Sequence, residues 1–203
     1  MPRPAKARER LLDAAEDLLL ARGFAETQLD RVRERAGVSK GAIFYHFDGK
    51  EALAEAALER FFQRLVTEAQ DALAASGATT ATARLFAYVD AVATLTRTPA
   101  LARGCLLGMV TMECTETNPA LAAVAADGFT KWQGSLTALI EEAASERGLD
   151  VDATGLATTF LAAVEGGLLL DRHRNSPSAV EAALTHFRHY LAFVLQLGKE
   201  TAP

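Results

Sequence analysis

The chain has 203 residues, half of them hydrophobic, and carries 21 Lys and Arg against 26 Asp and Glu for a formal net charge of −5. That balance supports a buried core and excludes both a disordered chain and a protein that coats nucleic acid along its whole surface. The charge is uneven: residues 1–64 hold 12 basic and 11 acidic side chains and the rest hold 9 and 15, so only the N-terminal third approaches a polyanion without repulsion.

Taken in order, Arg3, Lys6, Arg8 and Arg10 make a basic start, either a solvated tail or an arm that touches nucleic acid. Leu11, Ala14, Ala15, Leu18 and Leu19 then follow helical spacing from about Pro4 to Ala21, with Gly23 as the stop. Leu29, Val32 and Ala36 make TQLDRVRERA a short amphipathic helix with Thr27 as its N-cap. Gly37 closes that helix in the left-handed conformation, Val38 plugs the turn, and Ser39 caps a third helix that runs to about Phe47. Two helices across a tight turn are a helix-turn-helix. Its core is expected to be Leu11, Leu18, Phe24, Leu29, Val32, Val38, Ile43 and Phe47, while Lys40, Gly41, Ala42, Tyr45 and His46 project. The projecting set suits DNA: Lys40 and His46 reach phosphates or base edges, Tyr45 offers a hydroxyl and a flat face, and Gly41 and Ala42 let the backbone approach a groove.

From Lys50 the positions Leu53, Ala57, Phe61, Leu65 and Ala69 continue one long linking helix to Gly77, and Asp48 with Glu51 has the spacing of a capping box. Beyond it no alternating β-branched run or Asn-Gly turn occurs, so the spacing predicts helices at about 80–97, 100–116, 119–147, 153–173 and 177–197, and an all-α chain. RGCLLGMVTMEC is apolar nearly all round, with Gly104 and Gly108 four apart, as in a buried helix that its neighbours approach closely. Phe86, Val89, Met109, Met112, Phe129, Trp132, Leu136 and Phe160 are either plain core or the lining of a cavity. The last two helices carry apolar residues on more than one side, from Leu156 to Leu170 and from Val180 to Leu197, which predicts a second buried face, with close approach at Gly166-Gly167.

His173, His186 and His189 lack a carboxylate or thiol that would complete a metal site. Cys105 and Cys114 are out of metal-ligand spacing and too far apart on one helix for a disulfide. No G-x-S-x-G, H-E-x-x-H or glycine-rich phosphate loop is present, so neither an enzyme nor a bound cofactor is expected. The polar, proline-containing start has no signal-peptide pattern, and no apolar run approaches the roughly 18 residues that span a bilayer, which predicts a cytoplasmic protein without a membrane partner.

The run GVSKGAIFYHFDGKEAL resembles the recognition helix of the TetR family of one-component transcriptional repressors, whose usual form reads roughly G-V-S-K-G-T-L-Y-Y-H-F-x-S-K-E-x-L. Gly37, Val38, Ser39, Lys40, Gly41, Tyr45, His46, Phe47, Lys50, Glu51 and Leu53 match; Ala42, Ile43, Phe44 and Gly49 replace the usual Thr, Leu, Tyr and Ser. The resemblance covers residues 8 to 55. It implies a DNA-binding domain over 1–49 and a ligand-binding and dimerisation domain over 50–203, joined by the linking helix. It further implies a homodimer formed by the last helix pair and a palindromic double-stranded operator. Contacts to DNA are implied at Thr27, Ser39, Lys40, Gly41, Ala42, Tyr45, His46 and Lys50, the last meeting a phosphate. A small apolar or electrophilic inducer would lie among Phe86, Val89, Cys105, Met109, Met112, Phe129, Trp132 and Phe160, and its binding would tilt the linking helix. The run Arg103 to Leu107 is similar to family members in which a cysteine placed like Cys105 senses electrophiles; core packing is the alternative. A ligand-independent architectural or division-type DNA-binding protein of the same fold is the other reading.

Overall fold

Helical periodicity is realised along the chain. The computed structural model describes residues 4–174 and 178–197, and among them it contains nine α-helices and no strand. In order they are α1 (Pro4–Glu26), α2 (Leu29–Ala36), α3 (Lys40–His46), α4 (Lys50–Ala75), α5 (Ala81–Leu95), α6 (Leu106–Cys114), α7 (Pro119–Glu146), α8 (Ala153–Arg174) and α9 (Ser178–Val194). By packing, the chain falls into two compact units, Met1–Arg64 with Cys105–Phe129 and Leu65–Gly104 with Thr130–Pro203. Arg3, Ser176-Pro177 at the expected start of the last helix, and the side chain of His173 lie outside the described residues.

In the first unit α1 packs on α2, α3 and α6. Leu11, Leu12, Ala15, Leu19, Val32, Ile43, Leu53, Leu58, Phe61, Leu107 and Val110 are buried there. Of the expected core, Leu18, Phe24, Leu29 and Val38 are only half-buried, because Leu12 and Leu19 on α1 take the deeper places. Close approach to α6 is made by Gly128 of α7, where an added Cβ would meet both Cδ atoms of Leu107 at 3.1 Å. Residues 98–104 form turns instead of the helix expected from residue 100, with the Gly104 N–H donating to the Leu101 carbonyl at 2.9 Å.

A polar tie fastens α1 to α4. Glu9, Asp13 and Glu16 recur every three to four residues and so share one face of α1. Arg60 meets all three, with Nη1 to Glu9 Oε2 at 2.8 Å, Nη2 to Asp13 Oδ1 at 2.7 Å and Nε to Glu16 Oε1 at 2.8 Å. Arg64 Nη2 donates to the other Glu16 oxygen at 2.9 Å. Burial by itself lowers the Arg60 pKa, but hydrogen bonds to Asp13, Glu16 and Glu9 outweigh it, and the net shift is upward. Glu16 is buried, so the two arginines compensate a carboxylate that water does not.

In the second unit α9 packs along α8 and against α5. The apolar stretch Ala153–Arg172 is long and apolar enough to cross a membrane by length and composition, contrary to the sequence expectation. Four of its large apolar residues, Leu156, Phe160, Val164 and Leu168, are instead buried on the core side of a packed helix. Gly167 is the point of closest approach, since an added Cβ would lie 2.5 Å from the Cα of Val180, whereas Gly166 faces open space. Val180, Leu184, Phe187 and Leu191 form the inward face of α9, and Leu169, Leu170, Tyr190 and Phe193 are exposed. The helix pair thus has one buried apolar face and a second set of apolar side chains left exposed.

Replacing Gly167 with Leu forces α8 and α9 apart and should destabilise the protein by about 1–3 kcal/mol. Gly134→Ala, on an open face of α7, should instead stabilise it by about 0.5–1 kcal/mol. Urea unfolding of the two variants checks the pair.

Candidate nucleic-acid interface

Gly37 adopts φ 61° and ψ 44°, the left-handed conformation expected of it. Its N–H donates to the Glu34 carbonyl at 3.1 Å and that of Val38 to the Arg33 carbonyl at 3.2 Å, the paired bonds of a Schellman turn. After two residues the chain re-enters helix at Lys40. Ser39 is the N-cap by backbone geometry, but its side chain makes no capping bond.

On α3, Ile43 and Phe47 turn inward and Lys40, Gly41, Phe44 and Tyr45 outward, with Ala42 and His46 half-buried at the edges. Tyr45 is 75 % exposed and Phe44 56 %. The His46 ring stands edge-on to Tyr45 at 4.8 Å. An exposed stripe of one cation, one backbone-permissive glycine and two aromatic rings fits a major groove, where phosphates, base edges and thymine methyl groups lie within reach of one helix. Phe44 was not among the projecting residues expected from the sequence. Its position four residues after Lys40 places it on the outward stripe.

The expected cap at Thr27 is corrected, and Lys50 is engaged within the chain. Thr27 is buried and is not a cap: its Oγ1 donates to the Gly23 carbonyl at 2.6 Å, and Gln28 occupies the N-cap of α2. Lys50 is half-buried, its Nζ donating to the Ala25 carbonyl at 3.1 Å and lying 4.2 Å from the Phe24 ring centre. Short loops leave those groups facing the junction of α1 and α2. The Asp48–Glu51 capping box is also not formed among the described residues, since α4 begins at Lys50 and Gly49, whose carbonyl accepts from Leu53 N–H, is its N-cap.

The residues proposed for a ligand fall in both units. Phe86, Val89 and Phe160 are buried in the second, with Trp132 half-buried. The Trp132 indole N–H donates to the Tyr88 hydroxyl at 2.8 Å, and the Phe160 ring lies 6.2 Å from Trp132 and 5.2 Å from Phe187. Burial raises the Tyr88 pKa to about 12 against the lowering effect of Trp132. In the first unit Cys105 is buried at the N-cap of α6 and Met109 and Phe129 are half-buried. Met112 is 80 % exposed and lines no enclosed space within the chain, because α6 turns its Leu107, Val110 and Cys114 side inward. Burial, followed by the charge of Glu113, raises the pKa of the Cys114 thiol. His186 and His189 are exposed on α9, and no group of three metal-binding side chains occurs among the described residues.

A helix-turn-helix with such an outward face defines a DNA-binding regulator. The family of bacterial regulatory proteins, tetR family, matches residues 11–57, and the tetracyclin repressor-like C-terminal domain matches residues 81–187. The chain belongs to the TetR family of transcriptional regulators and is not an enzyme. A TetR transcriptional regulator from Chloroflexus aurantiacus J-10-FL superposes with a TM-score of 0.83 at 27 % identity over 95 % of this chain and 97 % of that one. The HTH-type transcriptional regulator SrpR of Pseudomonas putida is 38 % identical over 53 residues, 26 % of this chain and 25 % of the relative. The HTH-type transcriptional activator FasR of Mycolicibacterium smegmatis is 37 % identical over 73 residues, 36 % of this chain and 33 % of its own length. The matches to these two relatives thus span a quarter to a third of their length.

Gly37→Ala puts a side chain in a left-handed position, which costs of order 1–3 kcal/mol. The added Cβ also meets Arg10 Nη2, the mobile end of a side chain that yields cheaply. Thermal unfolding should show a loss of that size, with weaker DNA binding at temperatures where the variant is still folded.

Proposed function

We propose that the protein is a homodimeric repressor that holds a palindromic operator with two copies of α3 and leaves it when a small apolar molecule binds the second unit. The outward stripe of Lys40, Gly41, Phe44 and Tyr45 carries the reading, with Ser39, Ala42 and His46 at its margins. Dimerisation is supported by Leu169 and Leu170 on α8 and Tyr190 and Phe193 on α9, apolar side chains left exposed beside a completed core. An apolar inducer is supported by the aromatic set around Phe160, whose one polar pair, Tyr88 and Trp132, would orient a ligand by hydrogen bonding. Burial of Cys105 favours packing over electrophile sensing.

Selection of bound DNA from a random pool tests the proposal: a palindromic motif supports it, and the absence of any enriched motif overturns it. On the selected site, Lys40→Ala should weaken binding and reduce the salt slope by about one unit. Phe44→Ala and Tyr45→Ala should weaken binding with the slope unchanged, because neither side chain carries a charge.

Assembly has its own test. Phe193→Glu places a charge on the exposed face of α9, where Phe193 is 78 % exposed, and should yield a folded monomer by light scattering. Phe187→Glu buries its charge against Phe160 and should unfold the subunit instead.

A further inference from the structure

The last turn of α1, which leads into the DNA-reading hairpin, is held by a carboxylate from α6. At Gly23 the backbone leaves helical geometry, with φ 80° and ψ 178°. The break in the helical ladder frees the N–H groups that follow it, as at the start of any helix. Glu113 of α6 takes two of them with one carboxylate: Oε2 accepts from Phe24 N–H at 2.6 Å and Oε1 from Ala25 N–H at 2.7 Å. An added Cβ at Gly23 would collide with Glu113 Oε2, so the glycine provides both the bend and the room for the carboxylate. On the other side of the same segment Lys50 donates to the Ala25 carbonyl, and Thr27 donates to the Gly23 carbonyl. Residues 23–27 are thus held from α6 and α4 at once, and α2 starts two residues later at Leu29.

We infer that Glu113 is a positioning residue for DNA binding, through which the placement of α6 sets the attitude of the α2–α3 hairpin. Hydrogen bonds to an ionised carboxylate are about twice as strong as neutral ones, and two on neighbouring N–H groups fix direction as well as distance. A shift of α6 along its axis strains both bonds together. The inner side of α6, with Leu107 against Gly128, ties Glu113 to the core, so the acid is fixed at its own end. This role rests only on DNA binding by the hairpin and requires no ligand.

The test measures operator affinity, its salt dependence and amide exchange at Phe24 and Ala25 in Glu113→Gln, Gly23→Ala and the double variant. Glu113→Gln keeps the shape but sets an amide N–H2 against one of the two donors. It should speed exchange at one or both amides, keep the fold by circular dichroism, and lower operator affinity roughly three- to thirtyfold. The salt slope should stay at the wild-type value, because no phosphate contact is lost. Since both single changes break one contact, the double variant should lose less affinity than the product of the two losses. Wild-type affinity in a folded Glu113→Gln with faster exchange, unchanged exchange at both amides, or independent losses in the double variant would each overturn the assignment. Loss of the fold in both single variants would make the contact a stability element and overturn it as well.

Discussion

The reading surface depends on one backbone conformation, the left-handed turn at Gly37. A Schellman turn fixes how α2 ends, and the two residues after it leave α3 no freedom of direction. Because α3 has only seven residues, it cannot hold its own shape in water and relies on its flanks. Ile43 and Phe47 anchor one side in the core, where α3 packs on α1 and α2, and Arg8 lies 5.5 Å over the Phe47 ring. Lys40, Phe44 and Tyr45 are presented by a short element whose orientation comes from the turn before it and the core behind it.

The same economy governs the other helix ends. Acidic side chains late in one helix accept from the free N–H groups that open another. Glu146 at the end of α7 accepts from Ala81 and Thr82 at the start of α5, and the Thr82 bonds lower its pKa. Asp171 near the end of α8, itself buried, accepts from Ala179 and Val180 at the start of α9. Glu113 does likewise from α6, at a bend instead of a true helix start. Each arrangement satisfies orphan donors and places a negative charge where the peptide dipoles favour one. Each also fastens two helices that their apolar faces alone would leave free to slide.

Much of the fold was legible in the sequence because helices obey local rules. Periodicity located the long elements within a few residues, and Gly37 marked a boundary that the structure keeps. The reading surface was legible because Ile43 and Phe47 fix which side of α3 faces inward. What escaped was whatever depends on a partner far along the chain. Lys50 has a carbonyl and an aromatic ring within reach only because α1 ends beside α4, and nothing at positions 24 and 25 announces that. Thr27 has the composition of a cap but lies four residues after Gly23, whose carbonyl its hydroxyl finds first. Phe187 and Leu191 look the same in sequence as Tyr190 and Phe193; only packing on Phe160 and α8 separates core from exposed face. Gly167 and Gly128 make close approaches that Gly166 and Gly134 do not, a distinction set by the facing helix and invisible in the glycines themselves.

The chain has a single tryptophan, and its indole N–H is bonded to the hydroxyl of Tyr88 beside Phe160. The protein therefore carries one indole fluorophore, seated in the second unit and absent from the DNA-reading head. Indole emission depends on hydrogen bonding and local polarity, so its colour and lifetime report on the surroundings of Trp132. An unlabelled sample accordingly has an optical channel for events in that set, separate from the head, whose tyrosine is Tyr45.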